Sequence, residues 1–413
     1  MNILLGRLPP IDILMWPWHQ VLFYSNETFP KSVGHFLRKR FQKFIDSLEN
    51  LQDKENAYDL FDWHVRFQII DNSCLSLDQL SAIYWGKYSF NGESCQAHFN
   101  FKNCFGSVVD CIIDEIRDNS IEYKKEVIEI QIHNSFRTKI NENAKTHMTT
   151  ANVSVKCTDG TVYTANHVIV TFSLGVLKKL HKNLFKPTLP SPIHSAIESI
   201  GFETINKIFL EFDTVWWNDL DGIQFVFNYK REKKQWTDYL TGFDIMQPQS
   251  SNILLGWVGG AGAIQMEKLN DEQIIGDCVK LLSKFTNQSV PYPNRYHCTR
   301  WHSNPFVRGA YSYISTKCDS NETISQNILN KAVTLEDFYS TTGMDECNDE
   351  DHNLKLNLEM LKKRQNYFNF MHKPSAPVVL FAGEACHDKY FSTAHGAFAS
   401  GIEQAQKIID LYK

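Results

Sequence analysis

The sequence predicts an α/β chain, in which helices and a mixed sheet interleave with a more regular sheet of buried strands. Three observations carry that expectation. Residues 168–172 and 378–381 are continuous apolar or β-branched runs, the pattern of strands covered on both faces. From Lys31 onward, Val33, Phe36, Leu37, Phe41, Phe44, Ile45, Leu48 and Leu51 keep the 3/4 spacing of a helix with one buried face. Val153, Val155 and Cys157 alternate with polar residues ahead of Asp159-Gly160, which predicts a hairpin.

Taken in order, residues 1–30 show no clear period, and the helix that starts at Lys31 is followed by further helical pieces to about Trp85. After the hairpin and the run at 168–172, residues 207–212, 223–227 and 252–258 are expected as strands and 271–285 as a helix. Residues 316–375 are polar and charged, with an acidic cluster between Asp345 and Asp351. They are expected to form a surface insertion, partly helical near 354–370. The strand at 378–381 then leads into Ala382-Gly383-Glu384, a loop, and a helix over about 393–412. Ile402, Ala405, Ile408, Ile409 and Tyr412 share one face of that helix.

Composition narrows the function. A chain of 413 residues is long enough for two ordinary domains, and 43% apolar with 22% charged residues is globular composition rather than disorder. A net charge of −5 argues against general nucleic-acid binding. Ten cysteines without a CxxC pair point to reduced thiols. The apolar stretch at 11–24 is broken by Pro17 and His19, which suits neither a membrane span nor a signal peptide. A cytoplasmic protein without membrane or nucleic-acid partners is therefore expected. Aromatic residues at 13% suit a pocket for an apolar or cationic ligand, although large Phe-rich cores produce the same count.

The C-terminal stretch carries the chemistry. A buried strand ends in Gly383-Glu384, where open α/β sheets bind ligands and a carboxylate can accept bonds from sugar or ribityl hydroxyls. The next helix opens with Ala394, Gly396, Ala397, Ala399, Ser400 and Gly401, small enough to let a ligand approach the backbone. Close helix-on-sheet packing would use the same residues. The run Leu380-Phe-Ala-Gly-Glu-Ala-Cys-His-Asp-Lys-Tyr-Phe-Ser-Thr-Ala-His-Gly-Ala-Phe-Ala-Ser-Gly401 closely resembles the closing signature of flavin-containing amine oxidases, especially spermine and polyamine oxidases. Three further stretches resemble the same family: residues 168–178, 201–212 and 300–313. The resemblance implies FAD as cofactor. It gives Glu384, Ser392 and Thr393 contacts to the flavin and its ribityl and pyrophosphate groups. Trp301 is implied beside the flavin, Tyr311 in the substrate pocket, and the Val127 backbone at the adenine. Lys207 is implied to hold a water against flavin N5. On its own a lone strand lysine is more often a solvated residue. Cys386 stands where the family usually has Thr.

The resemblance covers roughly residues 31–316 and 376–413 and implies two interleaved domains. An FAD domain would comprise residues 93–190 and 373–413, and a substrate domain of helices and mixed sheet residues 31–92 and 191–372. Residues 1–30 are expected as an atypical N-terminal segment, because the family's opening Gly-x-Gly-x-x-Gly unit has no counterpart there; only Gly6 is present. Gly256-Trp-Val-Gly-Gly-Ala-Gly262 follows a strand but lacks a third glycine in register. The implied activity is oxidation of an amine or polyamine with O2 as the terminal acceptor and hydrogen peroxide as product, with FAD binding weakened by the missing unit. The alternatives are a non-catalytic paralogue acting as a binding protein, and an amine oxidase of the protein-lysine demethylase type. No metal is expected, since Cys386, His387 and His395 have no second ligand pair.

Overall fold

The computed structural model describes residues 2–4, 31–85, 101, 104–117, 120–133, 151–217, 220, 222–232, 235–246, 252–320, 325–340 and 376–413. The chain opens with β1 (Asn2–Leu4), α1 (Val33–Ser47), α2 (Leu51–Asp71) and α3 (Gly106–Asp114). Then follow β2 (Val127–Ile132), β3 (Val153–Cys157), β4 (Val162–Ala165), β5 (Val168–Val170), α4 (Leu174–Leu184), β6 (Phe185–Lys186) and α5 (Ser191–Ser199). The middle holds β7 (Gly201–Glu203), β8 (Ile205–Glu211), β9 (Gly222–Val226), β10 (Leu240–Ile245), β11 (Ile253–Gly259), α6 (Gly260–Met266) and α7 (Asp271–Thr286). The chain closes with β12 (Arg295–Cys298), β13 (Tyr311–Tyr313), α8 (Ser325–Leu329), β14 (Val333–Thr334), α9 (Leu335–Ser340), β15 (Pro377–Phe381) and α10 (Ala394–Leu411).

Six strands form one sheet in the order β1-β9-β10-β11-β8-β12, with every pair antiparallel. Its core takes Ile208, Leu210, Phe225, Phe243 and Leu254 from the strands, and Ile274, Ile275, Cys278, Leu282 and Phe285 from α7. Asn270 caps α7 by accepting from the Gln273 N–H at 2.9 Å. The helix α2 is fastened to this sheet by polar groups as well as apolar ones. Arg66 is 1% exposed and donates to the carbonyls of Leu240 at 2.6 Å and Phe225 at 2.7 Å. Its third partner is Asp62 at 3.2 Å, so the buried guanidinium is fully engaged. Burial nevertheless pulls it down to about 10.

A second core joins β2, β5, β15, α4, α5 and α8 around Ile130, Val170, Leu174, Leu177, Phe185, Ile197, Val379 and Phe381. Here β15 runs parallel to β5 and antiparallel to β14, while β4-β3-β2-β6 form a neighbouring four-stranded sheet. Every residue of β15 is buried, as a run covered on both faces should be.

Several expectations shift. Residues 72–85 are turns, not helix; Leu77 and Leu80 use their carbonyls to receive the first N–H groups of α1, from Gly34 at 2.9 Å and Val33 at 3.0 Å. The strand expected over 168–172 is only three residues long, and Val168 and Ile169 are half-buried because β5 ends the described sheet. Residues 325–340 are not a surface insertion: Leu329, Val333, Leu335 and Phe338 enter the second core, and β14 pairs with β15. Residues 341–375, with the acidic cluster and the helix expected near 354–370, lie outside the described residues. So do residues 5–30, while Asn2–Leu4 extend the six-stranded sheet at β9.

Candidate active site

The strands β5 and β15 lie in parallel register, Val170 beside Phe381, so both leave the sheet at the same end. In such a sheet the crevice beyond the carboxyl ends of the strands is the place for a ligand. The chain leaves β15 through Gly383 at φ 142°, where an L side chain is strained. A Cβ at Gly383 would meet nothing within 4 Å, so this backbone borders open space. From α10, Ser400 Oγ accepts the Gly383 N–H at 2.9 Å and holds the turn against the helix.

Glu384 follows directly. Its Oε2 accepts from Ser312 Oγ at 2.6 Å, the Ser392 N–H at 2.7 Å and the Ser312 N–H at 3.3 Å. These bonds join three elements that are remote in sequence: the end of β15, the strand β13, and the turn before α10. Oε1 receives no donor among the described residues. Burial lifts the carboxyl above its usual range, and the hydrogen bonds from Ser312 and Ser392 pull it partly back. Ser392 is held in the left-handed region at φ 66°, and its Oγ donates to the Ser312 carbonyl. Thr393 caps α10: its Oγ1 accepts from Gly396 N at 3.0 Å and donates to Tyr390 O at 2.6 Å. Ala394 and His395, in the first turn, are exposed.

The segment from Thr299 to Tyr313 closes over this end of the sheet. Its start is tied to β8. Asn206 is buried and accepts from Thr299 Oγ1 at 3.1 Å and Trp301 N at 3.2 Å, and it donates to Glu267 at 2.7 Å. Glu267 in turn receives the N–H groups of His302 at 2.9 Å and Ser303 at 2.7 Å. Further along, Val307 O accepts from Ser173 Oγ at 2.5 Å, just beyond β5. Arg308 adopts φ 60° and buries an Nε with no partner among the described residues. The segment ends in β13, which pairs with β7, and Tyr311 Oη donates to Ile70 O at 2.7 Å at the end of α2. Burial raises the Tyr311 phenol well above its usual range, so it stays a neutral donor.

Lys207 lies on β8 beside Asn206 and is half-buried. Its Nζ stands 4.3 Å from the ring centroid of Trp257, its cross-strand partner on β11. Burial lowers its pKa, so this is not an ordinary solvated strand lysine. Its backbone is locked to Thr299 in both directions, at 2.8 and 3.0 Å. Trp301 follows two residues later, with its indole exposed.

The structure thus gathers Glu384, Ser392 and Thr393 through direct hydrogen bonds or a shared turn, places Tyr311 one residue before Ser312 on β13 with its hydroxyl on Ile70, and links Lys207 to Trp301 through Asn206 and Thr299. Val127 opens β2 in the four-stranded sheet and shares with β15 only the apolar core beneath. The polar groups that do the joining, Asn206, Glu267 and Ser312, have no motif of their own in the sequence. Asn206 left one signal, a polar residue at an inward position of an alternating strand. The glycines of residues 256–262 serve packing: a Cβ at Gly256 would strike the Phe243 ring, and one at Gly262 the Tyr239 ring.

The donor set fits a flavin dinucleotide. It offers a carboxylate oxygen, Glu384 Oε1, for ribityl hydroxyls. It also offers the first-turn N–H groups of α10 and a bare backbone at Gly383 for close approach.

Comparison with known proteins points the same way. A 28% identical relative is the peroxisomal N(1)-acetyl-spermine/spermidine oxidase of Bos taurus, aligned over 94% of this chain and 69% of that protein. A probable polyamine oxidase 5 of Arabidopsis thaliana is 26% identical over 92% of this chain and 70% of its own length. Among solved structures, cyclohexylamine oxidase from Brevibacterium oxydans superposes with a TM-score of 0.57 at 13% identity, covering 97% of this chain and 73% of that one, which shows a shared fold. The family model of flavin containing amine oxidoreductases matches residues 7–327 and 356–409. That match takes in part of the opening segment, ahead of Lys31, and most of the chain's length. The chain belongs to the flavin containing amine oxidoreductase family.

Proposed function

We propose that this chain oxidises amines, with polyamines as the substrate class and FAD as the cofactor. The observation that carries the reading is Glu384. Its carboxylate is held by Ser312 and Ser392 at the carboxyl end of a parallel strand, with one oxygen that receives no donor among the described residues and bare backbone beside it. When bound, the flavin supplies the hydride acceptor for breaking an amine C–H bond, and O2 takes the electrons to give hydrogen peroxide. Glu384, Ser392 and Thr393 would hold the cofactor, with Trp301 beside it. Val127 meets its adenine end through the backbone. Lys207, kept short of its usual basicity by burial, orients a water near the reacting atoms. Tyr311 forms part of the substrate wall. The small negative charge suits a cationic substrate and not a polyanion.

Under the same reading the cofactor domain comprises residues 93–190 and 373–413, and the substrate domain residues 31–92 and 191–372. No helix among the described residues is long and apolar enough to cross a membrane. A cytoplasmic location is one proposal for the chain; a peroxisomal one follows from the named relatives. Polyamine chemistry is favoured over protein-lysine demethylation because both relatives described above carry polyamine names over nine-tenths of this chain.

The test is reconstitution. Purified chain incubated with FAD and freed of excess should retain yellow flavin, though weakly, because residues 1–30 supply no glycine-rich turn for the ADP half. Anaerobic addition of spermine, spermidine or their N-acetyl forms should bleach the flavin, and admitting O2 should release peroxide. Retained flavin that no amine reduces would point instead to a non-catalytic binding protein.

A further inference from the structure

We propose that His181, His194 and Glu198 form a binding site for a divalent transition metal of the zinc type, clasping α4 to α5. The site is independent of the oxidase reading, since none of its residues belongs to the crevice at Gly383 and Glu384. Two residues four apart on one helix share a face, and α5 places His194 and Glu198 in that relation. On the facing helix α4, His181 brings Nε2 to 2.7 Å from His194 Nδ1 and 3.8 Å from Glu198 Oε1. The three ligand atoms all lie within 4.8 Å of one another.

The orientation of His181 is the second observation. Its Nδ1 stands 2.7 Å from the Leu177 carbonyl. A carbonyl can only accept, so Nδ1 carries the proton and Nε2 presents its lone pair to His194 and Glu198. A ring nitrogen bonded to a backbone carbonyl is how ligating histidines are held in tautomer and angle.

Without a metal the arrangement is already satisfied, with His194 donating to His181. Zinc bonds of about 2.0–2.1 Å in tetrahedral geometry need ligand atoms about 3.3 Å apart, so the imidazole pair must open by about 0.6 Å. The fold allows this. His181 is buried and fixed, whereas His194 is half-buried and Glu198 exposed, so the two rim ligands can move. Lys182 Nζ, 3.6 Å from Glu198 Oε1, is itself exposed and can leave the carboxylate. Lys178 Nζ donates to the Glu198 backbone carbonyl at 3.0 Å and does not compete for the side chain. Two imidazoles and one carboxylate favour zinc, copper or nickel over magnesium or calcium, with water completing the shell on the exposed side. A separation of 13 residues between the histidines matches no short metal motif, so only the packing of α4 on α5 reveals the set.

The experiment uses the tag-free full chain, stripped with chelator, then titrated with Co2+ and with Zn2+. The expected result is one saturable site with the intense visible absorption of four-coordinate cobalt, abolished when zinc displaces it. Zinc should also raise the melting temperature of the chain. Glu198→Gln, an exposed change that leaves the histidine pair intact, should weaken zinc at least about tenfold, and His194→Gln about a hundredfold. In chelator, Glu198→Gln should melt like the native chain, so that a lost affinity is not a lost fold. Absence of saturable cobalt binding, or binding that survives both substitutions, would overturn the proposal.

Discussion

Removing the Glu384 side chain strands three donors at once: Ser312 Oγ, Ser312 N–H and Ser392 N–H. Glu384→Ala should therefore cost about 2–4 kcal/mol in urea unfolding, since partly buried donors lose their acceptor. Glu384→Gln keeps an acceptor oxygen and should cost much less. The two variants also separate by pH. A carboxyl raised in the fold binds its proton more tightly there than in the unfolded chain. Its contribution is therefore most favourable below the unfolded value of about 4.3 and is lost as pH rises through the folded value. Glu384→Gln should lack that part of the decline, which melting curves between pH 4 and 7 will show. At Lys207 the expected effect is kinetic. Lys207→Met should slow flavin reduction or reoxidation by about a hundredfold with the fold intact, read by stopped flow on reconstituted protein. Equal rates in both half-reactions would reduce Lys207 to a packing partner of Trp257. At this scale the motif residues were legible because the signature at 380–401 is long, while the joining residues were not. Asn206 and Ser312 matter through contacts 57 to 95 positions away in sequence, and Glu267 through contacts 35 to 61 positions away, which no local pattern encodes.

The helix α10 shows how one element reads two ways. Its apolar residues Ile402, Ala405, Ile408, Ile409 and Tyr412 share one face, yet the buried residues are Gly396, Ser400 and Gln404. Close approach explains the choice. A Cβ at Gly396 would run into the Tyr390 carbonyl, and Ser400 bonds the Gly383 turn directly, so only small or hydrogen-bonding residues fit beneath. Gly396→Ala should displace the start of α10, with a loss of about 2–3 kcal/mol in stability. It should weaken FAD retention more than Gly276→Ala, a helix glycine on α7 whose Cβ would meet nothing within 4 Å. Equal flavin retention in the two variants would mean that the N-terminus of α10 takes no part in holding the cofactor. The strands were legible where side chains alternate or run continuously apolar, as in β8, β11 and β15. The elements over 325–340 were hidden because β14 is two residues long and α8 five, too short for a period to show.

For the whole molecule, two helices among the described residues expose apolar side chains. On α10, Phe398, Ile402, Ile409 and Tyr412 are between 47% and 55% exposed, and on α3 Val109, Ile112 and Ile113 are between 37% and 44% exposed. No residue of α3 is buried. β5 ends its sheet among the described residues, so its outer backbone groups have no strand partner there. Exposed apolar helix faces and an open strand edge are two features that drive association. The chain at micromolar concentration should therefore sediment as a mixture whose average mass rises with concentration, and should bind a hydrophobic dye. Charges on the outer face of α10 give the discriminating variant. Ile402→Glu with Ile409→Lys changes only exposed positions, seven apart on one face, and leaves Gly396, Ser400 and Gln404 seated. The double variant should lower the average mass and the dye signal without lowering the melting temperature. A fragment of a relative that carries a glycine-rich dinucleotide unit, added in trans, should raise soluble yield and bound flavin together, because cover for apolar surface and a seat for the ADP half would arrive on one piece. If the native chain is already monodisperse, and neither the double variant nor the fragment changes mass, dye binding or flavin content, then these exposed apolar residues do not drive association.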